Sequence, residues 1–529
     1  TEAHRVFPAR AMVQTHWWLV PTLFGNPFMT KPPLHHWLIA ASEIICGRGN
    51  VFVWRLPSAI TGAAVCAVCC WFAARWFGRA AGLISGVCAV GMIAIWGQSQ
   101  VADIDATNTL FAALTAMCGI ELLIIGNKSV IPGHTCGPGA RTVWIFGAGL
   151  ALAATLMTKA TGGLPVILGV WIWGAIVALR SGRSRDLSRP RFWAPLLIGG
   201  GIFAAFAWAA KQSLKHHGLP ADFAGVKEGA SRLYLHSFAD LINSLFVFLP
   251  SLFAFALPMS LAMPLAFDGD IRASLDARSR NLVTTLVAAV LIGWAIYIVT
   301  GNPNPRYAYP TLMLLCPLAG AIAVAATKTR RTADWLRGIA IVSAIALALA
   351  TVGLGAACWR ANSLRIVLIV SALIAMFVAC WTVSRISRSW HGAWGLVALI
   401  YLVSIPFGMQ RHIARTQEST KYTTSVKLRD VAGDNALIAC FAAAYDKPET
   451  FYYAGARVLL PLHKADFVPA NIPAGTWVIL ASNKAFPRDE YRTWHAVPGI
   501  RLEKEVYLCR NKPTDYYLAW YAGIGDAGR

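Results

Sequence analysis

Long apolar runs dominate the first 410 residues of this 529-residue chain. Each run approaches the roughly 20 residues that an α-helix needs to cross a bilayer, and each ends at charges or at Pro and Gly. Only 14% of the residues are charged, against about 25% in soluble domains. The chain is therefore predicted to be a polytopic, mainly α-helical membrane protein. Twelve spans are predicted, beginning near Pro57, Arg79, Ala106, Thr142, Thr161, Phe192, Leu241, Leu282, Ala308, Gly338, Ile366 and Gly392.

The pattern changes after about Gln410. Apolar stretches such as Ala436–Phe441 and Trp477–Ala481 alternate with Pro and Gly turns, which is typical of an α/β domain. We therefore predict two domains, a transmembrane domain over residues 1–410 with a first loop over 1–56, and a small α/β domain over 411–529. Cys440 and Cys509 fall on two predicted strands and either pair or remain buried thiols.

The net charge of +22 is interpreted here as a topology signal. Lys and Arg are more than twice as frequent in one set of alternate connections as in the other, with the densest group between Arg180 and Arg191. Because cytoplasmic loops carry the excess of positive charge, the first loop and the C-terminal domain are predicted to be extracytoplasmic.

The same assignment gathers acids and bases at the outer face. They are Glu2, Lys31, Asp103, Asp105, Lys159, Glu228, Arg232, His236, Arg306 and Tyr307. Charged groups near the hydrocarbon boundary are costly unless they are paired or functional. Carboxylates can act as general bases or hold a metal, whereas Lys and Arg suit a phosphate. Such a cluster fits an enzyme that takes a group from a lipid phosphate.

Simpler interpretations exist for single residues. Lys159 could be an anchor that extends to the interface, and Asp103 and Asp105 could cap the helix that follows them. The neighbouring histidines at 35–36 and 216–217 suggest zinc, but adjacent histidines seldom face the same way, so a solvated or interfacial position is favoured over a metal site.

The residues of the first loop resemble a known family. Thr1-Glu-Ala-His-Arg5 and the stretch from Trp18 to Trp37, with Thr30-Lys-Pro-Pro33, resemble the first periplasmic loop of the GT-C glycosyltransferases. The resemblance is to the lipid A aminoarabinose transferases and the protein O-mannosyltransferases. Further matches follow in order: Ala102-Asp-Ile-Asp105, Thr158-Lys-Ala-Thr-Gly-Gly163, Glu228-x3-Arg232-x3-His236 and Pro305-Arg-Tyr-x2-Pro310.

The resemblance implies an inverting transferase of the bacterial inner membrane, which moves a sugar from a polyprenyl (undecaprenyl) monophosphate to a hydroxyl at the outer face. It also implies thirteen spans, one of them before Thr1. It assigns the catalytic carboxylates to Glu2 and Asp105, with Asp103 beside them. It associates Lys31, Lys159, Arg306 and Tyr307 with the lipid phosphate. We add Glu228, Arg232 and His236 of the matched motif as substrate-binding candidates.

Two positions depart from the family pattern. Thr1 stands where many relatives have an aspartate, so the acidic role of the first loop falls on Glu2. Thr30 stands where some relatives have an acid that is linked to metal binding. No cofactor is therefore assigned, and a divalent metal ion is left open.

Two other functions fit parts of the pattern. A transporter or flippase of lipid-linked anions would use the same cations without breaking a bond, and an assembly protein would act through the C-terminal domain. Candidate acceptors for a transferase are lipid A, other envelope glycans or lipids, a polyisoprenoid and protein Ser or Thr. The donor sugar is not predicted.

Overall fold

The structure is a computed structural model that describes residues 2–23, 26–47, 50–125, 138–219, 238–256, 259–300, 305–326, 427–428, 430–431, 438–440, 459–461, 475–482, 500–511 and 514–524. The chain divides into two compact units. The first contains Thr1–Pro57, Trp208–Ala224 and Gln410–Arg529, and the second contains Ser58–Ala207 and Gly225–Met409.

Two short helices and a hairpin form the N-terminal part of the first unit. They are α1 (Ala3–Thr15), β1 (Thr22–Leu23), β2 (Asn26–Pro27) and α2 (Leu34–Cys46). Helix α1 ends at His16, whose left-handed backbone (φ 56°) turns the chain away from the helix axis. Trp17 then stacks on His217 and donates a hydrogen bond of 2.8 Å to Ser213 Oγ.

A five-stranded mixed sheet forms the C-terminal part of the first unit, as the predicted α/β domain requires. Its strands are β3 (Ile438–Cys440), β4 (Leu459–Pro461), β5 (Thr476–Ser482), β6 (Ile500–Asn511) and β7 (Thr514–Ile524). The strand order is β4-β3-β5-β7-β6. Strands β4, β3 and β5 are parallel, and β7 is antiparallel to both β5 and β6.

The sheet excludes one pairing that the sequence left open. Cys440 lies on β3 and Cys509 on β6, with β5 and β7 between them. Three strand spacings of about 4.8 Å separate the two backbones by about 14 Å, whereas a disulfide joins Cα atoms less than about 7 Å apart. The two cysteines therefore do not pair within the chain.

Helices make up the rest of the described chain. They are α3 (Val51–Phe77), α4 (Arg79–Gly91), α5 (Ile93–Ser99), α6 (Asp105–Ile120), α7 (Pro138–Arg180), α8 (Pro190–His216), α9 (Phe238–Asn243), α10 (Leu249–Phe255), α11 (Gly269–Ser274), α12 (Ala277–Val299), α13 (Tyr309–Leu312) and α14 (Leu315–Ala326). Single π-helical segments continue α6 (Glu121–Ile125) and join α9 to α10 (Ser244–Phe248).

Seven helical segments of the described residues are long and apolar enough to cross a membrane. They are Val51–Phe77, Asp105–Ile125, Gly139–Lys159, Gly162–Arg180, Phe192–His216, Ala277–Val299 and Arg306–Ala325. Each coincides with a predicted span, and the chain is a multi-pass membrane protein.

The other five predicted spans have different outcomes. The span predicted near Arg79 is divided, because Met92 has an extended backbone (φ −74°, ψ 121°) between α4 and α5. The span near Leu241 is short, because its apolar helix covers only Leu241–Phe253 and contains the π-helical segment. The spans predicted near Gly338, Ile366 and Gly392 lie outside the described residues.

Helices α6, α7 and α12 form the centre of the second unit, and small residues allow them to approach closely. A Cβ atom on Gly169 of α7 would lie 2.4 Å from the carbonyl oxygen of Ala289 on α12. A Cβ atom on Gly119 of α6 would lie 2.6 Å from the ring of Trp171. Such contacts replace the hydrophobic effect as a source of helix association inside a bilayer. They hold α6 against the middle of α7, where the polar group described next is found.

Candidate functional site

Two aspartates lie where the chain enters α6. Asp103 is held by its backbone, because Ser58 Oγ donates to the Asp103 carbonyl at 3.1 Å, and its own Oδ1 accepts from Ile104 N at 2.8 Å. Asp105 is the first residue of α6. Both side chains are buried. Two buried carboxylates at the end of a membrane span require positive partners.

Lys159 supplies that partner to Asp105 from a break in α7. The backbone at Lys159 is extended (φ −168°, ψ 92°) inside an otherwise helical segment. The Nζ atom lies 2.6 Å from Asp105 Oδ1, and Lys159 is only 4% exposed. Lys159 is therefore not an anchor that reaches to the interface. Asp105 Oδ1 accepts a hydrogen bond from Lys159, so this oxygen forms an ion pair at the start of α6.

An aromatic ring covers the same ammonium group. Lys159 Nζ lies 4.0 Å from the ring centroid of Tyr307, and Arg306 Cζ lies 5.6 Å from that centroid. A cation over a tyrosine face gains roughly 0.5–2 kcal/mol. Arg306 also interacts electrostatically with Asp105 and Asp103. The described group is thus two acids and two cations, with both cations near the Tyr307 ring.

Tyr297 of α12 forms hydrogen bonds to two of the segments that carry this group. Its buried hydroxyl lies 2.6 Å from the carbonyl oxygen of Gly162 and 2.5 Å from that of Tyr307. The hydroxyl proton is shared between a carbonyl just after the break in α7 and a carbonyl beside Arg306. This arrangement fixes the position of Lys159 relative to the Tyr307 ring.

The first unit holds its own charged pairs. Glu2 accepts two hydrogen bonds from Arg55, at 2.8 Å from Nε and 2.9 Å from Nη2. Arg10 lies 3.2 Å from Glu43. Lys31 is half-buried and follows the turn after β2. Both carboxylate oxygens of Glu2 are therefore engaged by a single planar guanidinium.

His35 and His36 are fully buried at the start of α2. Burial, together with the charge of Arg5, lowers the pKa of His36 to about 3. His36 is therefore neutral at physiological pH. Within the described ranges, no group of three or more His, Cys, Asp or Glu side chains could hold a metal ion. In the other histidine pair, His217 stacks on Trp17.

The structure brings together part of the predicted site. Asp105, Lys159, Arg306 and Tyr307 form one group, and Asp103 interacts with it through Arg306. Glu2 and Lys31 belong to the first unit. Glu228, Arg232 and His236 lie outside the described residues.

Sequence reasoning missed three polar residues beside Asp105 and Lys159. Tyr297 is a single polar residue inside an apolar run, and Asn108 lies between two threonines near the start of one. No spacing rule distinguishes either from ordinary packing residues. Tyr309, which interacts electrostatically with Asp105 and Arg306, occupies an unspecified position of the Pro305-Arg-Tyr-x2-Pro310 motif. That motif was the one signal that could have identified it.

The chain matches known proteins in sequence and in fold. Residues 9–223 match the family model of dolichyl-phosphate-mannose-protein mannosyltransferase. The structure resembles that of ArnT from Cupriavidus metallidurans bound to undecaprenyl phosphate, with a TM-score of 0.69 and 16% identity, covering 98% of this chain and 93% of that one. It also resembles apo ArnT from the same organism, with a TM-score of 0.65, the same identity and the same coverage. The match over residues 9–223 confirms the predicted resemblance to the protein O-mannosyltransferases, and the ArnT comparison shows a shared fold.

Proposed function

We propose that this glycosyltransferase moves a sugar from a polyprenyl (undecaprenyl) monophosphate to an acceptor hydroxyl, with inversion at the anomeric carbon. Two comparisons support the donor class: the family model describes an enzyme that uses a dolichyl-phosphate-linked sugar, and the similar ArnT structure contains undecaprenyl phosphate. The acceptor is lipid A or another glycan, lipid or protein of the cell envelope.

The buried group around Lys159 is the observation that carries this proposal. Lys159 and Arg306 are cations at the end of a span, and Tyr307 lies against both of them. A polyprenyl phosphate presents its charge at the same depth, because its chain lies in the hydrocarbon and its phosphate at the boundary. Cations fixed in advance at that position stabilise the negative charge that develops on a departing phosphate.

The proposed reaction is a direct displacement. The acceptor oxygen attacks the anomeric carbon on the face opposite the phosphate, and the bond between that carbon and the phosphate oxygen breaks. The electron pair of the broken bond stays on the phosphate beside Lys159 and Arg306. The acceptor proton passes to a carboxylate that acts as general base.

We assign the carboxylate roles to Asp105, Asp103 and Glu2. Asp105 already contacts Lys159, so a phosphate that binds Lys159 competes with Asp105 for the ammonium. This competition would free a carboxylate oxygen at the moment when the donor is bound. Glu2 is the second candidate base, and Arg55 holds its carboxylate in one orientation.

The location follows from the charge distribution of the connections. The loops rich in Lys and Arg are proposed to face the cytoplasm, which places Asp105 and Lys159 at the outer face of the bacterial inner membrane. The strongly basic Arg180–Arg191 connection lies at the other end of the second segment of α7 from Lys159. An enzyme in that orientation meets envelope acceptors after the lipid-linked sugar has reached the outer leaflet.

Transfer by the purified protein in lipid vesicles tests this proposal. Undecaprenyl-phosphate-linked sugars are supplied with lipid A or envelope glycans, and products are followed by mass spectrometry. We expect transfer by the unaltered protein and loss of at least about 100-fold in Asp105→Asn and Lys159→Met. Full turnover in both Glu2→Gln and Asp105→Asn would contradict the mechanism. Movement of the undecaprenyl-phosphate-linked sugar across the bilayer without cleavage of its bond to phosphate would instead indicate a flippase.

A further inference from the structure

Asn108 lies one helical turn after Asp105 on α6. Residues three apart project from the same face of a helix, so Asn108 faces the same side as the acid that binds Lys159. Asn108 is only 2% exposed, and its Oδ1 atom has no hydrogen-bond partner among the described residues. The proposed mechanism does not use this side chain.

Two glycines create the space for the Asn108 amide. A Cβ atom on Gly162 would lie 2.7 Å from Asn108 Nδ2 and 3.4 Å from Lys159 Cδ. A Cβ atom on Gly163 would lie 3.6 Å from Asn108 Oδ1. The amide therefore packs on the backbone that follows the break in α7, directly beside the stem of Lys159.

An unpaired amide oxygen at this depth has a cost. A buried acceptor without a partner destabilises a protein by about 1–3 kcal/mol, and such groups are few in native structures. An apolar side chain of similar size would not carry this cost. A polar ligand that donates a hydrogen bond to Oδ1 would remove the cost.

The chemistry of the amide selects among the parts of a lipid-linked sugar. In a polyprenyl-phosphate-linked sugar the phosphate is a diester, which carries no proton at neutral pH and cannot donate a hydrogen bond to Oδ1. A sugar hydroxyl donates one hydrogen bond and accepts others, and an amide offers both an acceptor and donors. We propose that Asn108 binds a hydroxyl of the donor sugar and thereby contributes to the choice of sugar. This inference rests on the proposed glycosyltransferase function.

Binding measurements in lipid nanodiscs test the inference. The probes are undecaprenyl phosphate alone, undecaprenyl-phosphate-linked mannose, glucose and arabinose, and the matching deoxy sugars, each of which lacks one hydroxyl. We expect Asn108→Ala to weaken binding of the preferred sugar-bearing probe about tenfold. Its affinity for undecaprenyl phosphate alone should stay within about twofold. One deoxy sugar should bind the unaltered protein about as weakly as the complete sugar binds Asn108→Ala. The affinity for that deoxy sugar should not fall further in Asn108→Ala.

Thr109→Val serves as the matched control, because Thr109 is buried on the same helix and its hydroxyl bonds only Gln98 at 3.0 Å among the described residues. The melting temperature of each variant shows whether it has folded, and Asn108→Ser provides a smaller polar replacement if the alanine variant does not fold. Equal loss of affinity for lipid phosphate and for lipid-linked sugar would overturn the role in sugar binding. A tenfold loss of affinity in Asn108→Ala for every deoxy sugar would also overturn this role, because no single hydroxyl would then account for the contact. Failure of the unaltered protein to bind any probe would overturn the proposed function itself.

Discussion

The pair formed by Asp105 and Lys159 predicts a strong and specific coupling between two substitutions. Opposite charges 2.6 Å apart attract by roughly 6 kcal/mol at an effective dielectric constant of about 20. Desolvation offsets much of this attraction, yet removal of one partner of a buried pair typically costs about 3–5 kcal/mol, because the other charge is left alone. Asp105→Asn and Lys159→Met should therefore each lower the free energy of unfolding by several kcal/mol.

The double variant Asp105→Asn with Lys159→Met should be less damaged than the sum of the two single variants. We expect a coupling energy of about 2 kcal/mol or more. Unfolding of the purified protein in mixed detergent micelles, followed by tryptophan fluorescence, gives the three free-energy differences. The pair of Asp186 and Arg189, 2.9 Å apart on the connection before α8, is the control, because its arginine is 55% exposed and solvent-screened pairs contribute about 0–1 kcal/mol.

Two results would refute this reasoning. Single variants as stable as the Asp186→Asn and Arg189→Met controls would mean that the charges are not desolvated. Additive losses in the double variant would mean that the two side chains stabilise the protein independently of each other. In either case Lys159 would not be held by Asp105, and the proposed competition between Asp105 and the donor phosphate would fail.

Three further predictions concern packing, pH and the shared hydroxyl. Gly169→Ala should destabilise the protein by about 1–3 kcal/mol, because the new Cβ would lie 2.4 Å from a backbone carbonyl oxygen. Gly200→Ala is the control and should leave the stability unchanged, because nothing lies within 4 Å of its new Cβ. Thermal melting of the two variants measures the difference. The stability that depends on neutral His36 should be lost as pH falls below about 6.5 toward the folded pKa of about 3, by up to about 1.4 kcal/mol per pH unit. Melting curves of His36→Gln recorded over this pH range should lack this loss of stability. An equal loss in the variant and the unaltered protein would contradict the prediction. Tyr297→Phe should reduce turnover roughly tenfold or more at unchanged protein yield, and full activity in vesicles would show that its hydroxyl does not position Lys159.

The apolar spans could be predicted from the sequence because length and composition alone determine what can cross a bilayer. The seven long spans in the described residues agree with the prediction. The break at Met92 could not be predicted in the same way, because an extended residue there interrupts a run whose average composition is unchanged. The break at Lys159 lies between the spans predicted to begin near Thr142 and Thr161. The contact between Lys159 and Asp105 depends on how α6 and α7 pack.

The candidate site was predictable where charge was the signal. Asp105, Lys159 and Arg306 are conspicuous because charged residues are rare beside long apolar runs. Neutral polar residues such as Asn108 and Tyr297 gave no such signal, since their importance depends on which helices pack together. The pairing of Glu2 with Arg55 joins two residues 53 positions apart, and no local pattern specifies such a contact.

The most direct test of the central claim compares the envelopes of cells with and without this gene. Lipids and glycans are extracted and analysed by mass spectrometry, and a strain that carries only Asp105→Asn is included. We predict that loss of the gene, or the Asp105→Asn exchange, causes one polyprenyl-phosphate-linked sugar to accumulate while one modification of lipid A, a glycan or a protein disappears. Unchanged levels of every polyprenyl-phosphate-linked sugar, together with an unchanged envelope, would contradict the proposed transfer.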